Sequence, residues 1–256
     1  MSKKISVIII TRDEEKMIED CLKSINNWAD EILVIDHAST DRTIDIAKKY
    51  RAIISSLPSK ATFSQLRNKG LKEANGDWIF YLDADERATD NLKKEIGKVI
   101  SSSPKFFTYV VPRRNFYLGR EVRFGGAYPD YVKRLFKKDK LNGWKGDLHE
   151  EPIFEGQLGH LREPMIHITH RDLSSMVEKT KNWSTIEAQL LYDAKHPPVT
   201  WWRILKIMLT EFCQRGIKLQ GWRDGTVGWI EIIFQMFSRF MTYARLWELQ
   251  QIKKGK

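Results

Sequence analysis

Asp83-Ala84-Asp85 follows directly on the apolar run Trp78–Leu82. Two carboxylates two residues apart can turn toward one site where a strand gives way to a loop. Hard oxygen ligands of this kind suit Mg2+ or Mn2+ bridging phosphates. Taken alone, the triplet is more simply an exposed acidic turn. Its setting argues for the ion. Ser6–Ile10 leads into Thr11-Arg12-Asp13-Glu14-Glu15, and Glu31–Ile35 leads into Asp36-His37-Ala38-Ser39-Thr40-Asp41. Three apolar segments that all end in acids would repel one another unless a cation or hydrogen-bond donors lie among them. Asp36 and Asp41 also have a plainer reading, the capping of a following helix through Ser39, Thr40 or Asp41.

Two further groups could do chemistry. His167 and His170 stand in Met165-Ile166-His167-Ile168-Thr169-His170. In a strand they would face opposite ways, so they are not expected to be joint ligands. Arg113, Arg114, Arg120, Arg123 and Arg134 interleave with Phe116, Tyr117, Phe124 and Tyr128. Guanidinium forks and aromatic faces would hold a phosphorylated sugar. They would also hold stacked nucleic-acid bases, or they are solvated side chains on a strand-rich wall.

The elements that must carry these residues alternate. Ser6–Ile10, Glu31–Ile35, Arg51–Ser55 and Trp78–Leu82 read as strands, the first a β-branched run suited to burial on both faces. Glu15–Ser24, Asp41–Tyr50, Phe63–Ala74 and Leu92–Ile100 read as helices, and Asn75-Gly76 supplies a stop. Such alternation builds a largely parallel sheet flanked by helices, whose ligands bind at the carboxyl ends of the strands. The acidic segments stand at those ends. With 256 residues, 42% of them hydrophobic, the chain has ample material for a core, and disorder is excluded. Its two cysteines, Cys21 and Cys213, exclude a disulfide scaffold and suit a reduced, cytosolic setting. Neither a signal peptide nor a spanning helix is expected.

Thr11 to Glu15, Val34-Ile35-Asp36-His37-Ala38-Ser39-Thr40-Asp41, Arg67-Asn68-Lys69-Gly70-Leu71, Ala74-Asn75-Gly76-Asp77-Trp78 and Asp83-Ala84-Asp85-Glu86 occur in one order. Over residues 5–90 the chain thereby resembles a family-2 glycosyltransferase of the GT-A fold. Tyr128-Pro129-Asp130, Arg134-Leu135-Phe136, Gly146-Asp147-Leu148-His149-Glu150 and His167-Ile168-Thr169-His170-Arg171 are similar to the subgroup of lipopolysaccharide-core β-glucosyltransferases. The resemblance implies an α/β fold, a Rossmann-like mixed sheet flanked by helices. It implies an inverting, metal-dependent transfer of a hexose, with glucose from UDP-glucose expected. Thr11, Glu14, Asp36, Arg67 and Asp83 match nucleotide-binding positions. Asp85 and His167 match positions at the Mg2+ or Mn2+ ion, Glu150 the general base, and Arg134 and Arg171 contacts to acceptor or phosphate. The implied partners are a nucleotide-sugar donor and a lipopolysaccharide-core or other lipid-linked glycan. A peptide or other carrier is the alternative acceptor. A non-catalytic nucleotide or nucleic-acid binding module is the alternative class, although nucleic acid is not the expected partner.

The net charge of +10 calls for an anionic partner, and its placement is uneven. Residues 196–256 hold ten basic and four acidic side chains and five of the nine tryptophans. Residues 1–195 are expected to form the catalytic domain, and 196–256 a basic, Trp-rich helical extension. Trp201, Ile204, Leu205, Met208 and Phe212 fall on one helical stripe. Trp229, Ile232, Ile233, Met236, Phe237, Phe240 and Met241 fall on another. Such stripes dock on the catalytic domain or a second subunit, or lie on a membrane surface. The second option places the protein peripherally on the inner face of the cytoplasmic membrane.

Overall fold

The structure, a computed structural model, describes residues 4–102, 104–146 and 150–252. Asp147 and His149 of the expected acceptor-side motif lie outside the described residues. The first elements are β1 (Ile5–Thr11), α1 (Ile18–Ile25), β2 (Glu31–Asp36), α2 (Thr43–Lys49), β3 (Ile53–Ser56), α3 (Phe63–Glu73), β4 (Trp78–Asp83), β5 (Glu86–Arg87) and α4 (Asp90–Ser101). Then come β6 (Thr108–Tyr117), β7 (Arg120–Val122), β8 (Asp130–Lys137), β9 (Leu141–Lys145), β10 (Glu151–Phe154), β11 (Leu158–His160) and β12 (Met165–Ile168). Helices α5 (Leu173–Asp193), α6 (Trp201–Phe212) and α7 (Gly225–Ile252) complete the chain. Two compact units result, 1–113 with 131–167, and 114–130 with 168–256.

The first unit carries a mixed sheet in the order β3-β2-β1-β4-β8-β6-β12-β5, with β11 beside β6. The strands from β3 to β4 are parallel, and β8 adds antiparallel to β4, pairing Phe80 with Leu135. This is the mixed, helix-flanked α/β sheet expected of the GT-A fold. All seven residues of β1 are buried, because both faces are covered. Side chains alternate across the strand, so Val7 and Ile9 join one core with α1 and α4, while Ile8 and Ile10 join a second core with Leu66, Tyr81, Phe136 and Trp144. Helix α3 begins in a capping box between Thr62 and Gln65. It lies close on the sheet because residue 70 is glycine: a Cβ there would stand 2.5 Å from Ile8 Cγ2.

The second unit is helical apart from the ladder between the end of β6 and β7, which pairs Asn115 with Val122. Helix α7 packs against both α5 and α6. Ala188, Val199 and Leu246 form a small core joined by Ile204 and Tyr243. Asp224 ties the 114–130 segment to the helices by accepting the backbone N–H of Arg123 at 3.1 Å and of Phe124 at 2.8 Å. The two expected stripes each split. Ile204, Met208, Phe212 and Ile232 turn inward, whereas Trp201, Leu205, Ile233, Phe237 and Phe240 stay exposed. No described helix is long and apolar enough to cross a membrane.

Candidate active site

Register decides the site. Thr11 of β1 pairs with Asp36 of β2, and Ile10 with Asp83 of β4, so three strands deliver Thr11, Asp36 and Asp83 to one edge of the sheet. Asp36 is buried and accepts the backbone N–H of Ser39 at 3.2 Å. The hydroxyl of Thr11 is buried with no hydrogen-bond partner among the described residues. Glu14 is half-buried, and its backbone N–H donates to Thr43 Oγ1 at 2.8 Å. Asp41 accepts from the backbone N–H groups of Glu15 and Thr43, both at 2.9 Å, and so holds the turn before α2. Burial alone would raise its carboxyl, but these bonds, with that of the Thr43 hydroxyl, hold it below the usual range.

The acids at this edge are separated by guanidinium groups. Arg134 of β8 donates to Asp83 and, at 2.7 Å, to the fully buried Glu86. Arg113 of β6 reaches the same Glu86 oxygen at 3.3 Å. Arg67 of α3 stands 3.5 Å from Asp83 and donates through Nε and Nη2 to Glu150 Oε1 at 3.2 and 3.1 Å. Burial would push the Asp83 carboxyl up. The charges of Arg134 and Arg67 outweigh it and hold the carboxyl far below the ordinary carboxylate range. The same acids raise Arg134 against the opposing effect of its burial.

Arg67 is itself fixed on every side. Its guanidinium carbon lies 4.7 Å from the Trp144 ring and 5.3 Å from the Tyr81 ring, within cation–π range. Tyr81 Oη donates to its carbonyl at 3.0 Å. Next to it, Asn68 clamps Trp144 in both directions: Asn68 Nδ2 donates to the Trp144 carbonyl at 2.9 Å, and the Trp144 N–H donates to Asn68 Oδ1 at 2.8 Å. Nη1 of Arg67 remains buried without a partner among the described residues. Lys69, its neighbour in sequence, instead pairs with Glu73 along the helix at 2.9 Å.

Asp85 stands outside this arginine cluster. It is partly exposed, has no lysine or arginine partner among the described residues, and lies 3.4 Å from His167 Nε2. Strand β12 brings His167 there by pairing it with Glu86 of β5. A carboxylate oxygen and an imidazole nitrogen form a donor pair whose chemistry would fit Mn2+ or Mg2+. Among the described residues no three acidic, histidine or cysteine side chains form a closed cage.

The structure therefore brings Arg67, Asp83, Arg134 and Glu150 together in one network, sets Asp85 against His167, and lines Thr11 up with Asp36. Arg171 is exposed and belongs to the second unit, as does His170, whose Nδ1 lies 3.1 Å from Glu231 Oε2. Of the interleaved arginines, Arg114 and Arg123 both pair with Glu121, and Arg120 is exposed. Sequence reasoning misses Glu86, Asn68, Tyr81 and Trp144. Asn68 stands inside the quoted Arg67–Leu71 motif, yet nothing local shows that its partner is a backbone 76 residues away. A separate cleft of about 830 Å3, lined by Lys4, Glu31, Arg51 and Asn75 among others, opens at the opposite ends of the strands, away from these groups.

The family model described as glycosyl transferase family 2 matches residues 6–152. An uncharacterized glycosyltransferase of Rickettsia bellii is 26% identical over 97% of this chain and 88% of its own length. The lipopolysaccharide core biosynthesis glycosyltransferase LpsC of Rhizobium meliloti is 25% identical over 97% of this chain and 94% of its own. A crystal structure of Mycobacterium tuberculosis glucosyl-3-phosphoglycerate synthase, in complex with Mn2+, UDP and glucosyl-3-phosphoglycerate, matches with a TM-score of 0.37 and 24% identity. That match covers 46% of this chain and 45% of the solved one, so this chain spans less than half of that protein.

Proposed function

The chain belongs to glycosyl transferase family 2, and on that ground we propose that it moves a hexose from a UDP-sugar to a glycan acceptor with inversion at the anomeric carbon. The observation that carries this reading is the clasp of Arg67 between Asp83 and Glu150 at the carboxyl ends of the parallel strands. Thr11 and Asp36 offer a buried hydroxyl and a buried carboxylate to the base, where Asp36 can accept the N3–H of uracil. Nη1 of Arg67, buried and unpartnered among the described residues, is a donor for the ribose or a phosphate oxygen. A divalent ion held by Asp85 and His167 would supply positive charge against the departing diphosphate.

Glu150 is the proposed base. Its Oε1 is held by Arg67, while no hydrogen bond reaches its Oε2 among the described residues. The carboxylate is thus oriented through one oxygen, with the other unengaged by any described residue. The acceptor hydroxyl loses its proton to Oε2 as its oxygen bonds to the anomeric carbon. The bond from that carbon to the diphosphate breaks on the opposite side, and its electron pair leaves on the phosphate oxygen. The likeness to LpsC supports a lipopolysaccharide-core or other lipid-linked glycan as the acceptor, which would place the protein peripherally at the inner face of the cytoplasmic membrane.

Purified protein with UDP-glucose, acceptor glycan and Mn2+ tests the proposal. Release of UDP should require the metal, be lost in Asp85→Asn, and fall by about a thousandfold in Glu150→Gln. Undiminished turnover by Glu150→Gln would remove Glu150 as the base. A folded protein that binds the donor without turning it over under any of these conditions would be a binding module instead.

A further inference from the structure

The second unit wears part of its polarity inside out. Helix α6 buries one residue, and it is Glu211, paired with Arg215 and with Arg239 at 3.3 Å. Trp201, Trp202 and Leu209 of the same helix are 72%, 57% and 55% exposed. Helix α7 buries Val227, Ile232, Phe234 and Leu246 along with Glu231 and Thr242, and it leaves Trp229, Ile233, Phe237 and Phe240 exposed at spacings that follow one helical face. The half-buried Phe212 ring lies 6.5 Å from that of the exposed Trp229, so the end of α6 meets the start of the α7 stripe. Single exposed leucines are ordinary, but a two-helix apolar face marks a contact.

Charge identifies the occupant. From Trp201 to Arg223 the only acid is Glu211, and it is turned inward. Arg203, Lys206 and Lys218 are exposed and make no ion pair among the described residues. A symmetric pairing of α6 with α6 of a second copy would offer these cations no exposed acid. Lipid phosphates would instead neutralise them, while indole rings favour the boundary between headgroups and acyl chains.

We propose that the outer face of α6 and α7 is a peripheral anchor that lies in the surface of an anionic lipid bilayer. Trp201, Trp202, Leu205, Leu209 and Ile233 enter the acyl boundary, and Arg203, Lys206 and Lys218 contact headgroup phosphates. For its purpose this rests on the reading of a lipid-linked acceptor, since it would hold the enzyme on the surface where that acceptor lies. The contact itself depends only on the face.

Flotation of the full chain with vesicles separates the two. Phosphatidylcholine vesicles containing phosphatidylglycerol should carry the protein at low salt, with a blue shift in tryptophan emission, and phosphatidylcholine alone should carry much less. Trp202→Ala combined with Leu209→Ala should weaken binding by about tenfold or more in either salt. Arg203→Glu with Lys206→Glu should weaken it chiefly at low salt. Circular dichroism and turnover of a water-soluble acceptor analogue, both expected to be unchanged, show that the variants are folded. No flotation at low salt, or equal flotation of the Trp202/Leu209 variant, overturns the anchor. Loss of a dimer in that variant without any vesicle binding would assign the face to self-association and overturn it too. If flotation succeeds while transfer fails for every acceptor, the catalytic reading falls and the anchor stands.

Discussion

Glu86 shows best how the site holds its charge. It is fully buried between Arg134 and Arg113, and it also accepts the backbone N–H of Asp83 at 3.0 Å. Glu86→Gln would remove the buried negative charge that faces Arg134 and Arg113 and should cost about 3–5 kcal/mol of stability, measured by denaturant unfolding. Asp83 adds a pH signature. Its carboxyl is depressed in the folded state, so the stability it contributes is present above the unfolded value and lost as pH falls through the folded one. Asp83→Asn should therefore lower the melting temperature by a constant amount from about pH 8 to about pH 5, and the gap should close only below about pH 3.9. A gap that narrows already between neutrality and pH 5 would mean that the arginines do not hold Asp83. Asp83, Asp85 and Glu150 are legible in the sequence through the motifs around them. Glu86 is not, because it reads there as one more acid at a strand tip. Its role exists only once β8 has laid Arg134 beside β4. The faint local signal is Arg134 itself, a charge directly before the apolar pair Leu135-Phe136.

At the scale of elements, the parallel half of the sheet follows from local pattern. The strands and helices expected up to residue 100 all appear, with ends shifted by a few residues, because β-branched runs and amphipathic spacing determine them before any tertiary contact forms. The antiparallel half is harder to read. Strands β5 and β12 have two and four residues, and His167 reaches Asp85 only once β12 has settled between β6 and β5. The placement of α3 is the most exacting feature, since it sets Arg67. Gly70→Ala would drive a methyl group into Ile8 and push the helix outward. It should destabilise the fold by about 1–3 kcal/mol and weaken donor binding more than a surface change such as Lys72→Ala, as measured by titration calorimetry. Equal affinities for the two variants would show that α3 tolerates the shift.

For the whole molecule, the basic side chains serve two purposes. In the first unit, Arg67, Arg113 and Arg134 neutralise acids at the strand ends. In the second, several cations are left exposed. A UDP-sugar bound at the first should raise stability by about 2.7 kcal/mol at a hundredfold excess over its Kd. For a chain of this size that is a rise in Tm of about 5–10 °C. The rise should survive salt better than vesicle binding does, since the ligand's contacts are buried and those of α6 are exposed. A screen of sugar nucleotides that moves Tm for none of them, with Mn2+ present, would count against the nucleotide site.

The bond from Asp224 to the backbone of Arg123 and Phe124 spans about a hundred positions of the chain. On the ribosome, the hairpin around Gly119 emerges long before the carboxylate that will hold it. The strands on either side can meanwhile settle into their own sheet, leaving this excursion waiting for its latch. A chain released after residue 195 should therefore display a protease-sensitive bulge between Arg114 and Asp130, although the Rossmann-like portion has been synthesised in full.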